Sequence, residues 1–487
     1  MATDKSRSSM DENNADAEKP IDLEDTISGP SCKPHSSFSY RYSEKWSIVH
    51  TVLGYPPAGT LSIKPTSWLD GVRGVAAFEV YVFHSMGCWA SIVAAWHADG
   101  DQQNVLQLPL LRTFFVSGPA AVSVFFALSG YVLTYKCLRW IRGDSKHQVY
   151  PAVASSMFRR GFRLYLPPIT LTFFEMLATR FGYIPPLKFS FVPEPTFSAQ
   201  LLDWLVETSR FINPVYNFLP AIQGINTPAK YDPVIWTIPL EFYGSFVCYT
   251  LLLLSVRIPS NRVRMLFVTA YSVFCMVLGS WNLFCFSAGM LIADFNLGQE
   301  EEVRLGAMRA SSYRGIWMSL FGIAFYIAGF PTLVTTEAAS NPMFGFEILR
   351  ALIPSSLDMD DHSRYWWSIS GVMLLLSMSQ LPRLKAVFES NLCQYLGRIS
   401  FSLYLIHEFC IVLFGMALQS FLMDLAGLAP RANTFLYWVI CGIWFMIFTL
   451  PVFALAALVE RWVDMPSVKF SKWLEGKCLR LVTLFAR

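Results

Sequence analysis

The feature that most constrains this chain is a succession of apolar stretches separated by short polar connections. Ten of them follow residue 67, over 67–96, 113–135, 164–181, 234–254, 265–279, 281–293, 316–334, 366–381, 399–418 and 435–458. A helix needs about 20 apolar residues to cross hydrocarbon, and in lipid only helices and closed barrels satisfy their own backbone groups. The pattern therefore predicts an all-α, polytopic membrane protein with about ten transmembrane helices. The fifth, sixth and eighth stretches are short, which implies tilt or re-entrance. Composition agrees: 54% of the 487 residues are hydrophobic and only 15% charged, with a mean hydropathy of +0.40. A soluble surface needs more charge, so most soluble enzymes are excluded. The 38 basic and 35 acidic residues nearly cancel, which argues against a nucleic-acid partner. Ten cysteines without a CxxC pair read as buried free thiols rather than metal ligands or disulfides.

The polar, breaker-rich residues 1–60 are expected to form a disordered tail, residues 61–465 the membrane domain, and residues 466–487 a basic amphipathic segment on the membrane surface. A cleaved signal peptide is not expected, and the first membrane helix would act as the signal. Connections on the N-terminal side carry sixteen Lys and Arg against seven on the other side. The positive-inside rule then places both termini in the cytosol. The long connection 182–232, rich in Pro and aromatic residues, is expected to pack on the membrane domain, as a lid or acceptor-side wall or as cover for helix ends.

Ionisable groups inside apolar runs are costly and persist where they line a cavity. The first run holds Asp70, Arg73, Glu79 and His84. Arg73 and His84 are eleven residues apart, so on a helix they differ by about 20° in direction and about 16 Å in height, and line one stripe. Asp70 lies near that face and could cap the helix and hold Arg73. The alternative for His84 is a hydrogen-bonded structural imidazole between helices. The second run presents Gly118, Ala120, Ala121, Ala127, Ser129 and Gly130, a small-residue surface for close packing. A basic block, Arg159, Arg160 and Arg163, precedes Pro167 and Pro168, expected at the start of the third helix. Three guanidinium groups at a membrane mouth suit phosphates of a donor or of lipid headgroups. Glu241 in the fourth run, Glu175 in the third, and His407 with Glu408 in the ninth complete the set, the last two being candidates to pair with the first helix.

In chain order, the blocks WLDGVRGVAAFEVYVFH, SVFFALSGYVL, RRGFRLYLPP, WTIPLEFYGS, FSAGMLIADF, GRISFSLYLIHEF and VERWVDMP resemble the acyltransferase-3 family of integral-membrane acyltransferases over roughly residues 67–466. The resemblance implies transfer of an acyl group from acyl-CoA to a hydroxyl acceptor. It places the family's Arg-x10-His pairing on Arg73 and His84, its basic block on Arg159, Arg160 and Arg163, and its Leu-Ser-Gly turn on Leu128, Ser129 and Gly130. Departures are Ala121, Ala127 and Phe401. The long tail and extended loop resemble the fungal or another eukaryotic branch rather than compact bacterial members.

The expected enzyme is an O-acyltransferase using acyl-CoA, acetyl-CoA foremost, as co-substrate, with no metal and no permanently bound cofactor. His84 would take the proton of the acceptor hydroxyl or carry the acyl group transiently. Arg73 would hold the donor near its pantetheine or carbonyl end, and Arg159, Arg160 and Arg163 its phosphates. Ser129 and Gly130 would line the thioester channel, and Glu241 and His407 would orient the acceptor. The acceptor class leans to an apolar natural product such as a terpenoid or polyketide over a carbohydrate or cell-wall glycan. The expected location is the endoplasmic reticulum or another endomembrane. A proton-coupled transporter would use similar buried groups, and an inactive relative serving as a sensor is a third reading.

Overall fold

The computed structural model describes residues 53–55, 63–89, 93–96, 104–143, 145–183, 193–227, 229–305, 313–333, 341–357, 359, 361–429 and 434–485. Apart from 53–55, the expected disordered tail lies outside them. Helices occur throughout, and among the described residues there is no strand.

The chain runs through α1 (Ser67–Gly87), α2 (Gly118–Arg142), α3 (Val149–Arg180), α4 (Phe197–Ile212), α5 (Pro214–Gln223), α6 (Thr237–Arg257) and α7 (Asn261–Val277). It continues through α8 (Trp281–Arg304), α9 (Arg314–Ala328), α10 (Ser363–Ser379), α11 (Asn391–Cys410), α12 (Phe435–Val459) and α13 (Met465–Phe485). Each of the ten expected apolar stretches falls on one of these helices, wholly or in large part. Among the described residues four helical stretches, Gly118–Arg142, Pro233–Arg257, Asn391–Leu425 and Phe435–Phe485, are long and apolar enough to cross a membrane. The third of these continues α11 through a π turn, Ile411–Gly415, into Met416–Leu425.

Several expected boundaries differ: the first helix ends at Gly87 rather than near residue 96, the seventh at Ala328 rather than near residue 334, and the third starts early. The third helix begins at Val149, and Pro167 and Pro168 lie inside it. Val149, Ala152, Val153, Ser156 and Arg160 are buried at helical spacing, so an inward stripe extends the helix well before its apolar part. Proline is tolerated within membrane helices, where neighbouring groups compensate for the lost bond. The basic block is therefore on a helix, and its arginines face different neighbours.

Close backbone approach sets the frame. A Cβ on Gly130 would lie 2.0 Å from the Phe286 carbonyl oxygen, and one on Gly289 1.9 Å from that of Ala127, so α2 and α8 touch backbone to backbone across the expected small-residue surface. Between α1 and α11, a Cβ on Gly74 would lie 2.2 Å from the Gly397 nitrogen, and one on Gly397 2.3 Å from the Asp70 oxygen. These two helices run parallel and carry most of the candidate site. Gly74→Val is expected to lower the unfolding midpoint in detergent, at a cost at or above the upper end of about 1–3 kcal/mol for overpacking. Gly87→Val on the same helix, whose added carbon meets nothing within 4 Å, is the control. Equal midpoints for the two variants would refute this packing.

The long connection docks as expected onto the helices. The Trp204 indole donates to Thr172 Oγ1 (3.3 Å), Trp281 to the Gly224 carbonyl (2.8 Å) and Asn282 to the Ala221 carbonyl (2.8 Å). At the other end of the chain, α12 passes through a π turn, Glu460–Asp464, into α13. Ser467, Ser471 and Glu475 form its buried stripe, while Trp473, Leu481 and Leu484 are exposed.

Candidate active site

Two clusters lie along the α1/α11 pair. The first lines an open cavity of about 930 Å³ bounded by Arg73, Phe125, Ser129, Arg160, Arg163 and Glu241, with Arg398, Ser400, Phe401, Tyr404 and Asp464 completing the wall. Arg73 is held by Asp70 (2.9 Å), as its i,i+3 spacing implied, and donates to Ser400 Oγ (3.1 Å) and the Gly397 carbonyl (3.1 Å). Arg160 pairs with Glu241 and donates to Ser245 Oγ (2.9 Å). Ser129 donates to the same Glu241 carboxylate at 2.6 Å. The carboxylate thus fixes one guanidinium and one hydroxyl at the cavity wall. A buried ion pair of this kind is tolerable because further hydrogen bonds satisfy its atoms.

The second cluster sits further along α1. His84 Nδ1 lies 3.3 Å from Glu408 Oε2, and the two side chains keep 35% and 25% of their exposure, so the pair is reachable. With Nδ1–H donating to the carboxylate, the lone pair of a neutral imidazole is at Nε2. The His407 ring centroid is 5.0 Å from that of His84. His407 is fully buried; its Nδ1 contacts the Tyr404 carbonyl at 2.7 Å, and its Nε2 has no hydrogen-bond partner among the described residues. Asp232, in the connection before α6, is buried nearby and accepts from the Val234 N–H (2.8 Å). Burial pushes its carboxyl up to about 7, and the Glu408 carboxylate acts in the same direction.

Tyr404 stands between the clusters. Its hydroxyl shares a 2.7 Å hydrogen bond with Thr237 Oγ1 and donates to the Val234 carbonyl (2.7 Å), its ring lines the cavity, and its centroid is 6.0 Å from that of His407.

The structure thus brings Arg73, Arg160, Arg163, Ser129 and Glu241 to one cavity, and His84, His407 and Glu408 to another place. Glu241 belongs with the arginines, not with His407. Gly130 faces α8, where its missing side chain admits the Phe286 carbonyl. Arg159 points away from the large cavity and pairs with Glu475 of α13 (3.3 Å). Glu79, expected to point elsewhere, accepts from Ser117 (2.9 Å). Arg398, Ser400, Tyr404 and Asp464 escaped sequence reading. Ser400, Tyr404 and His407 recur at i, i+4 and i+7, a polar stripe that the helical period could have exposed. The donor atoms of His84, His407 and Glu408 lie within 4.8 Å of one another, a set able to hold a cation, although no metal site was expected.

The model of a family described as an acyltransferase domain matches residues 66–456, and the chain belongs to that family. Its apolar helices and its family make it a membrane protein, and the transport alternative falls away. The chain is 32% identical over 438 residues to the O-acetyltransferase PaAT-1 of Phomopsis amygdali, covering 85% of each. It is 25% identical to Acyltransferase R4 of a Phoma species, over 87% of this chain and 97% of that one. With Acyltransferase clz18 of Cochliobolus lunatus it shares 24% identity over 82% and 94% respectively. No solved structure matches.

Proposed function

We propose that the protein is an O-acyltransferase that moves an acyl group, acetyl foremost, from acyl-CoA to a hydroxyl of a small, largely apolar acceptor. The observation that carries this reading is the division of α1 between a basic cavity at Arg73 and a His–carboxylate pair at His84. A polyanionic thioester donor needs cationic anchors, and an alcohol nucleophile needs a base near neutral pH.

In this reading both termini are cytosolic, about ten helices span an endomembrane such as the endoplasmic reticulum, and the cavity faces the cytosol. Arg73, Arg160, Arg163 and Arg398 meet the donor's anionic groups. Glu241 holds Arg160 and Ser129 in position and does not touch the acceptor. Glu408 fixes the imidazole of His84, whose Nε2 takes the hydroxyl proton as the alkoxide oxygen attacks the thioester carbon; the C–S bond breaks and the thiolate leaves. His407, fully buried with its Nδ1 tied to the Tyr404 carbonyl, packs beside His84 and helps to fix the position of that imidazole. The printed name of the Phomopsis relative supports O-acetyl transfer, and an apolar interior favours an apolar acceptor over a glycan.

The test follows labelled acetyl-CoA into product with the purified protein. Glu408→Gln is expected to lower kcat about 10- to 100-fold while changing the KM for the donor little, because it disturbs the base and not the anchor. Treatment with EDTA is expected to leave transfer intact. A loss reversed by zinc would turn the three groups into a metal centre, and an unchanged kcat in Glu408→Gln would remove the carboxylate from the chemistry.

A further inference from the structure

We propose that α4 and α5 form a re-entrant hairpin that dips into the bilayer beside α3 and α6, with lipid covering its outer face, rather than a connection that lies in water. Both helices are inside out. Gln200, Asp203 and Glu207 recur at i, i+3 and i+7 on the face turned to the protein, where Gln200 donates to the Tyr231 hydroxyl (2.7 Å) and Asp203 accepts from Lys230 (2.6 Å). Leu202, Leu205 and Val206, at i, i+3 and i+4, are exposed on the other face. In α5 the polar Asn217 is buried, whereas Val215, Phe218 and Leu219 are exposed. A helix in water turns its apolar stripe to the core, so an outward apolar face calls for an apolar solvent. Lipid is that solvent because the hairpin is joined to the apolar surface of α3: Trp204 packs on Phe173 (5.2 Å between ring centroids), and the neighbouring Phe174 ring (5.9 Å) is itself exposed.

The contacts of the hairpin set its depth. Trp204 meets Phe173 and Phe211 meets Tyr165 (5.2 Å), so α4 runs antiparallel to α3 over about 10 Å. At the turn the Tyr243 hydroxyl donates to the Pro214 carbonyl, and Tyr243 lies about 9 Å inside α6, part of a stretch long and apolar enough to cross a membrane. From there α5 returns to Trp281 and Asn282 at the start of α8, which hold the Gly224 and Ala221 carbonyls. A turn in hydrocarbon must satisfy its own backbone groups. This one does: Asn213 Oδ1 accepts from the Val215 and Tyr216 N–H groups (2.9 and 3.1 Å), and Asn217 donates to the Arg210, Phe211 and Asn213 carbonyls (2.9, 2.9 and 3.0 Å). The charges of the hairpin meet a wet space instead of lipid. Arg210 pairs with Glu207 (2.6 Å), and both line an open cavity of about 590 Å³ with Thr172 and Lys230.

The experiment reads the solvent at single positions. An NBD fluorophore is attached to Leu205→Cys, to Val215→Cys or, as the aqueous control, to Glu302→Cys at the exposed end of α8. Cys32, Cys88 and Cys478 are replaced by serine, which leaves the buried thiols, and each nanodisc holds one copy of the full chain. The labels on Leu205→Cys and Val215→Cys are expected to emit to the blue of the control and to lose at least about half of their emission when doxyl-labelled lipid enters the disc, as for a helix sunk into the acyl boundary. The Val215→Cys label, at the turn, is expected to respond more strongly than the Leu205→Cys label to a doxyl group placed deeper in the acyl chain. Aqueous iodide is expected to quench the control alone. Quenching of both hairpin labels by iodide and not by lipid would place the hairpin in water and overturn the proposal. Emission insensitive to either quencher would mean that protein covers this face, and would overturn it equally. Neither acyl donor nor acceptor enters the measurement, so its result is independent of the acyl-transfer reading.

Discussion

His84→Ala is expected to lower acyl transfer by about 10²–10⁴-fold, the range that a positioned general base supplies. The reasoning starts from the pair itself. Glu408 Oε2 lies 3.3 Å from His84 Nδ1; with the proton of the neutral ring on that nitrogen, Nε2 is the basic atom, and the side chain's 35% exposure admits a hydroxyl. No group left behind replaces it: the other imidazole, His407, is fully buried. Because Arg73 lies about 16 Å along the same helix, the KM for the donor is expected to change little, whereas Arg73→Ala should raise it. The measurement is kcat and donor KM for both variants of the purified protein. Near wild-type kcat in His84→Ala would sink the role given to this residue.

Asp294→Asn is expected to destabilise the protein by about 3–5 kcal/mol, the cost of leaving buried charge without its partner. Asp294 sits in α8 with only 4% of its side chain exposed. It meets Arg142 Nε at 2.7 Å and Arg264 at 2.7 and 2.9 Å, and its own carbonyl accepts from Arg142 at 2.8 Å. Arg264 is almost wholly buried. Neutralising the carboxylate sets two guanidinium groups against each other, with only Arg142 retaining a second carboxylate, Glu301 at 3.2 Å. Denaturation by SDS in mixed micelles reads the change. A shift under about 1 kcal/mol would mean that water already screens these charges. The aspartate belongs to the FSAGMLIADF block, and its work is to join α2, α7 and α8.

Periodicity and solvent matching made much of this protein legible. Long apolar runs must become helices in lipid, so the ten stretches found their helices. The small residues of α2 found a partner backbone in α8. The i,i+3 pair of Asp70 and Arg73, and the stripe from Arg73 to His84, needed nothing beyond the pitch of one helix. Other readings failed where a helix continues past its apolar part. The start of α3 was missed because its inward stripe includes Ser156 and Arg160, which a hydropathy window counts as polar. For the same reason Arg159, Arg160 and Arg163 were read as one basic block. A helical pitch of 100° per residue turns Arg159 toward α13 and Arg160 toward α6.

By itself the sequence determined the all-helical architecture, the identity of the ionisable groups in the apolar runs and the family to which they belong, because these depend on local pitch and on the order of blocks along one chain. Only the tertiary structure decided the pairings: Glu241 with Arg160 and Ser129, Glu408 with His84, Glu475 with Arg159. Each joins residues far apart in sequence, and each depends on which helices approach closely enough to touch. At α1 and α11 that approach is set by Gly74 and Gly397, where the absence of a side chain lets one backbone meet another.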